Sequence, residues 1–296
     1  MKLYAPKYYK NFKCIADKCT HSCCVGWEID VDEVSLEKYK RLTCGYGAQI
    51  LDSVSFDEVP HFKLGADERC PHLSENGLCE IICNLGENYL CDICREHPRF
   101  YNYTDVCEVG IGASCEEAAR VILSSPDYAE IEEIGEVNGE GCKPEFDARD
   151  ERAKIYGVLG NKSLSYHARL EELYRRYEID AGKDEEWLEK IESLEYLDIS
   201  DKELFSNYSS ACRPNSTDTD EYLERFLAYL IYRHATEAED GEDFCSRLSF
   251  SLFCERLLAS LICARGAKTL NEVAALARII SEEIEYSDDN TLSLMY

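Results

Sequence analysis

The run "LSFSLFCERLLASLICARG", residues 248–266, is the longest apolar-rich stretch of the chain, and its reading decides the fold. Glu255 and Arg256 interrupt it at the middle, so it lacks the ~20 uninterrupted apolar residues of a membrane span. Across residues 243–265 apolar side chains fall around most of a helix's circumference. This pattern predicts a central helix packed by its neighbours and stopped at Gly266.

A central helix needs partners, and the flanking sequence supplies them. Downstream, Thr269 followed by Glu272 has capping-box spacing and opens a last helix with Val273, Leu276, Ala277, Ile280 and Ile284 on its buried side. Upstream, three apolar faces recur at helical spacing. They are Tyr166, Leu170, Leu173, Tyr174 and Tyr177; then Trp187, Ile191 and Leu194; then Tyr222, Phe226, Leu227, Leu230 and Ile231. From about residue 147 the chain therefore reads as an irregular bundle of five or six helices. No fixed-period repeat suggests a solenoid.

The front of the chain has different chemistry. Of 17 cysteines, twelve (14, 19, 23, 24, 44, 70, 79, 83, 91, 94, 107 and 115) precede residue 120. Periodic runs are few there. "VDEVSLEKYKRL" predicts a helix with Leu36, Tyr39 and Leu42 on one face, and "SENGLCEIIC" reads as a turn at Asn76-Gly77 entering a short extended segment. At "SCEEAARVILSS" the spacing predicts a helix N-capped by Ser114 with Glu117 completing the capping box, which puts Cys115 in its first turn. The segment 126–145, "PDYAEIEEIGEVNGEGCKPE", is acidic and rich in Gly and Pro, and reads as a linker or loop. The expected architecture is mainly α. A loop-rich cysteine module at residues 1–125 packs on an irregular C-terminal bundle at 146–296.

Composition bounds the function. Hydrophobic residues make up 45% and aromatics 11%, as in folded globular chains. With 32 Lys and Arg against 59 Asp and Glu, the net charge of −27 repels nucleic-acid phosphates and anionic membrane surfaces. A basic protein partner remains compatible. "MKLYAPKYYKNFKC" has no apolar signal-peptide core, so a cytoplasmic location is expected and a disulfide framework is disfavoured.

The thiols are distributed as a metal centre would need. In "KCTHSCCVGWEID" (18–30), Cys19 and Cys23 share a helical face, with Cys24 about a quarter-turn away and Cys14 one and a half turns earlier. "CPHLSENGLC" brings Cys70 and Cys79, "CDICREHPRF" brings Cys91 and Cys94, and "GASC" brings Cys115. Soft thiolates bind zinc and iron–sulfur clusters tightly, and such binding adds on the order of 10 kcal/mol to the folding of small metal modules. Only Cys91-x2-Cys94 has the knuckle spacing of a zinc ribbon, so an iron–sulfur cluster is preferred and zinc kept as the alternative. Cys44, Cys83, Cys107, Cys142, Cys212, Cys245, Cys254 and Cys263 read as packing residues. A nucleophilic Cys near His21, His72 or His97 is not selected by any spacing.

Taken together, "FKCIADKCTHSCCVGWEIDVD", "CPHLSENGLCEI", "LGENYLCDICREHPRF" and "GASCEEAARVIL" resemble the flagellin lysine N-methylases. The likeness continues through "YLERFLAYLIYRH" and "ARIISEEIEYSDDN", so it spans nearly the whole chain and is weakest across the acidic segment. It implies a cytoplasmic, cysteine-rich, iron–sulfur or zinc-binding protein. Named members of the family transfer methyl groups from S-adenosylmethionine to lysines of flagellin. Carried over by motif, the ligand set is Cys14, Cys19, Cys23, Cys24, Cys70, Cys79, Cys94 and Cys115. Cys91 stands where a small or polar residue is expected and His97 where a Tyr is, which leaves open whether Cys91 ligates. Eight thiols exceed the four of one cubic cluster, which leaves room for two centres, an outer role for Cys14 or Cys24, or a redox pair.

The expected function is thus an iron–sulfur-containing, most readily 4Fe-4S, protein lysine N-methyltransferase. It would use S-adenosylmethionine on flagellin or another lysine-bearing protein, with no nucleic-acid or membrane partner. The alternative is a metal-binding interaction or metal-handling protein without that activity, and a third reading is electron transfer. No glycine-rich loop after a strand and no C-x3-C-x2-C run marks a cofactor site. Catalytic residues are not assigned. Arg233, His234, Glu283, Glu285, Ser287 and Asn290 are polar candidates, each with the plainer reading of a solvated or satisfied helix residue.

Overall fold

The computed structural model describes residues 1–43, 45–57 and 59–296, so Cys44 and the packing role expected of it lie outside the described residues. The chain forms two compact units. Residues 13–98 make one, here the thiol unit; residues 1–12 with 99–296 make the other, the helical unit. The sequence reading assigns residues 1–12 and 99–125 to the cysteine module. They belong instead to the helical unit, because β1 (Lys2–Pro6), at the start of the chain, pairs in parallel with a strand about a hundred residues later.

The thiol unit is built from short elements. In α1 (Glu33–Lys40), Asp32 caps the N-terminus through Ser35 N–H, and its second carboxylate oxygen accepts from Asp92 N–H at 2.8 Å. One carboxylate thereby ties two segments together. Leu36 and Tyr39 point inward and Leu42 packs beside them, as their spacing predicts. Next come α2 (Gly45–Asp52) and the antiparallel pair β2 (Val54–Ser55) and β3 (His61–Phe62). The turn at Asn76-Gly77 is present, with Gly77 at φ +76° and its N–H on Ser74 O, but it leads into a helix, α3 (Glu80–Leu85), rather than an extended segment. The last helix is α4 (Asp92–Glu96). These elements enclose a small core: Ile29, Val31, Leu36, Tyr39, Ile50, Val54, Phe62, Ile81 and two cysteines, Cys70 and Cys91.

The helical unit contains a four-stranded sheet that the composition concealed. β4 (Arg99–Tyr103) and β5 (Cys107–Ile111) form a hairpin, and α5 (Glu116–Ser124) leads to β6 (Ile131–Glu136). The strand order is β4-β5-β1-β6, with β1 and β5 parallel and the other pairs antiparallel. β5 is buried throughout. β6 lies inside the segment read as a linker or loop. Its glutamates meet the lysines at the start of the chain, Lys2 with Glu133 at 2.7 Å and Lys10 with Glu132 at 3.3 Å, beside Lys7 with Glu130 at 2.8 Å. Exposed pairs of this kind are screened by solvent and contribute little to stability. They accompany the backbone pairing of β1 with an edge strand whose charge looks like a loop's.

Ahead of α5 the N-cap is Cys115, one residue later than expected, and Ser114 Oγ is buried without a hydrogen-bond partner among the described residues. From residue 148 onward every element is helical, as predicted, though with eight α-helices where five or six were expected. They are α6 (Ala148–Leu159), α7 (Tyr166–Arg176), α8 (Asp184–Ser193), α9 (Ile199–Phe205), α10 (Thr217–His234), α11 (Gly241–Arg265), α12 (Leu270–Ile280) and α13 (Asp288–Met295). A π-helical turn, Ser281–Glu285, continues α12.

α11 is the central helix. Phe250, Phe253, Leu257, Leu258 and Leu261 are fully buried, and Gly266 ends the helix in the left-handed conformation at φ +64°. Glu255, the charge at its middle, is fully buried because Arg213 takes both carboxylate oxygens at 2.6 and 3.1 Å and Tyr166 donates at 3.0 Å. Among the described residues no helix is long and apolar enough to cross a membrane.

Candidate metal centre

Backbone pairing between separate loops carries five cysteines of the thiol unit into or against one core. Cys70 N–H donates to Cys24 O at 2.8 Å, which fixes the "CTHSCC" loop against the start of "CPHL". A bridge between Leu73 and Cys79 then closes the eight-residue loop that separates Cys70 from Cys79. Cys79 sits at the N-cap of α3 and Cys91 at the N-cap of α4, with Cys94 one turn further on. Cys70 and Cys91 belong to the core, and Cys24, Cys79 and Cys94 pack against it. The described cysteines are all thiols.

These five thiols sense one another electrically. Burial, then the neighbouring Cys24, Cys79 and Cys91, pushes Cys70 up to about 12 against the pull of His72 N–H. Burial raises Cys79 too, opposed by the N–H groups of Ile82 and Ile81. Cys94 shares its proton with Cys91, which holds Cys91 down while Cys94 rises. A hydrogen bond from Cys23 lowers Cys24 to about 7, with burial opposing and Ser22 and Arg69 assisting. A cluster of soft sulfurs in low dielectric, of which Cys70, Cys79 and Cys94 are made costlier to ionise by burial and their neighbours while Cys24 and Cys91 are held down, suits a cation in kind. In geometry it is not closed: among the described residues no group of three or more His, Cys, Asp or Glu side chains is placed to hold a metal ion.

The remaining expected ligands do not join that core. Cys14 is exposed; Cys19 donates to His21 O at 2.9 Å; Cys23 is exposed beside Cys24. Cys115 is half-buried at the N-cap of α5 in the helical unit. Of the cysteines read as packing, Cys107 and Cys254 are fully buried, whereas Cys83, Cys142 and Cys212 are exposed and Cys245 and Cys263 half-buried. Cys91 is the thiol that the motif reading leaves undecided. It has no exposed surface and stands among the other four, and its C-x2-C spacing is the signal that points to it.

His72 has a structural post. It is 4% exposed, with Nε2 2.8 Å from Ser53 Oγ and Nδ1 3.2 Å from Tyr46 Oη. Burial holds it at about 4, so the ring is neutral near pH 7 and fastens α2 to the Cys70 loop.

In the helical unit the polar candidates divide into two sets. Glu285, in the π-helical turn, accepts from Tyr229 Oη at 2.9 Å and lies 2.7 Å from His234 Nε2, and Arg233 stands 3.4 Å away. This is a buried network. Glu283 instead accepts from Leu197 and Asp198 N–H at 2.8 and 3.1 Å, and Asn290 bridges Glu195 and Glu283 carbonyls. Ser287 caps α13 through Asn290 N–H. The second set holds backbone in place, the plainer of its two readings.

The flagellar biosynthetic protein FliU of Salmonella muenchen is 31% identical to the chain over 130 residues, covering 41% of the chain and 77% of FliU. The chain belongs to the family of FliU. Two further members of similar likeness are the lysine-N-methylases of Salmonella typhimurium and Salmonella choleraesuis, 30% and 28% identical over 136 residues. That match covers 43% of the chain and 34% of each methylase, so the chain spans about a third of their length over that match. The likeness to the FliU family by these matches is narrower than the nearly whole-chain resemblance read from the motifs. No family model matches the chain, and no solved structure matches it.

Proposed function

We propose that this FliU relative is a protein lysine N-methyltransferase whose thiol unit carries a metal centre. The carrying observation is the likeness, over 136 residues, to two proteins named lysine-N-methylase. The proposed methyl donor is S-adenosylmethionine. As the methyl carbon's bond to sulfur breaks, a bond to lysine Nε forms, and sulfur leaves as a neutral thioether. The lysine must first lose its ammonium proton. The proposed acceptor is flagellin or another protein presenting an exposed lysine, and a net charge of −27 favours approach of a basic surface.

The proposed centre is an iron–sulfur cluster held by four thiols from Cys24, Cys70, Cys79, Cys91 and Cys94, with zinc as the alternative metal. Such a centre would supply the folding free energy that a core of ten buried residues lacks. Thiols held unbridged in this number suit a reducing, cytoplasmic compartment.

The test is anaerobic incubation of the iron-loaded protein with S-adenosylmethionine and flagellin, read by mass spectrometry of lysine peptides. The expected result is a gain of one methylene per transfer. Absence of both methylated lysine and calorimetric S-adenosylmethionine binding would overturn the enzyme reading and leave a metal-binding interaction protein.

A further inference from the structure

A concavity of about 680 Å³ in the thiol unit is lined by Lys38, Arg41, Leu42, Asn88, Tyr89 and Arg95. In a chain with nearly twice as many acids as bases this lining is unusual. Three of the unit's eight Lys and Arg residues face one cleft, and among the described residues no carboxylate lines it. Two of the cations are available. Lys38 Nζ donates to Asn88 O at 3.2 Å and, among the described residues, neither Lys38 nor Arg41 is in a salt bridge; the nearby Glu37 is taken by Lys40 at 2.9 Å. Arg95 pairs with Asp92 and stands 3.4 Å from Glu96, so it is the cation an entering anion would compete for. Leu42 and the Tyr89 ring add an apolar wall.

We infer that this cleft binds a nucleotide-class organic phosphate. The cations that line it suit two or more negative charges, the volume lies in the ordinary range for small-molecule sites, and the Tyr89–Leu42 wall suits a planar ring. A sulfonium-bearing methyl donor is a poor match for a lining of three cations and no carboxylate. The inference does not depend on the proposed transfer.

Calorimetry of the full chain with ADP and with inorganic pyrophosphate tests the inference, using Arg41→Glu and, as a control, Lys63→Glu on the same unit. Arg41 is exposed, so its replacement leaves the core intact, and circular dichroism checks this. Lys63 Nζ donates to Asp52 O and does not line the cleft. ADP is expected to bind more tightly than pyrophosphate. Both should weaken about tenfold or more in Arg41→Glu and stay unchanged in Lys63→Glu. No ADP binding at millimolar concentration, or binding that Arg41→Glu leaves intact, overturns the site. Pyrophosphate binding as tightly as ADP overturns the nucleotide assignment.

Discussion

His234 Nε2 lies 2.7 Å from Glu285 Oε1 in the interior of the helical unit, and Arg233 flanks the same carboxylate. Burial alone would raise Glu285, but Arg233 and then His234 outweigh it and hold the carboxyl at about 2, below its ordinary 4.5. A depressed carboxylate stabilises the fold fully above its unfolded value. That contribution is lost as pH falls from about 4.5 toward about 2. Glu285→Gln should therefore cost about 3–5 kcal/mol near pH 7, because Arg233 is left buried without its counter-charge. The cost should shrink as pH is lowered through that window. Urea unfolding of both proteins at several pH values checks this, and a cost independent of pH would refute it.

Glu283, two residues away, has the opposite sign. Burial raises it to about 7, although the N–H groups of Leu197 and Asp198 pull it down. The folded state holds this proton more tightly than the unfolded chain. Stability from this group is accordingly greatest at low pH, falls as pH rises from about 4.5 to about 7, and is flat above. Glu283→Gln removes the titration and keeps an acceptor for one of the two N–H groups. Relative to wild type, the variant should look worse at pH 5 than at pH 8. A gap that is constant or widens with pH contradicts the assignment.

The range of each interaction decides which elements the sequence discloses and which it hides. α11, its stop at Gly266 and the Thr269–Glu272 capping box are local, and residues within one turn specify them. The sheet is not local. β1 carries "KLYAP", too short to alternate clearly, and it is a strand only because β5 and β6 flank it. β6 carries "IEEIGE", whose charge makes sense only beside Lys2 and Lys10. At the thiols the motif cysteines are visible in the sequence, but not which of them share a core. Cys91 is drawn in by the N-terminus of α4 and by Cys94, whereas Cys14 has no such anchor.

Cys70→Ser, Cys79→Ser and Cys91→Ser should each lower the iron or zinc bound per chain, measured by elemental analysis of anaerobically purified protein. Cys254→Ser should not, because that thiol is fully buried in the helical unit. Serine is a hard oxygen donor that replaces a soft sulfur poorly. Cys91→Ser is the informative variant, since the family motif leaves that position undecided while the structure buries it among Cys24, Cys70, Cys79 and Cys94. Equal metal content in all four variants would remove the proposed ligand set.

The two tryptophans report on different units. Trp187, 8% exposed, stacks on Phe253 of α11 with ring centroids 3.9 Å apart, and its Nε1 donates to Ala181 O. Trp27 lies in the thiol unit, three residues after Cys24. If metal supplies on the order of 10 kcal/mol to the thiol unit, chelation removes most of what holds that core. In Trp187→Phe, where Trp27 is the only reporter, chelator should move the urea midpoint sharply downward. In Trp27→Phe the midpoint reported by Trp187 should stay in place, because the helical unit has a large apolar core of its own. Fluorescence melts with and without chelator measure both. A Trp27 transition indifferent to chelation would mean that the thiol unit holds its fold without metal.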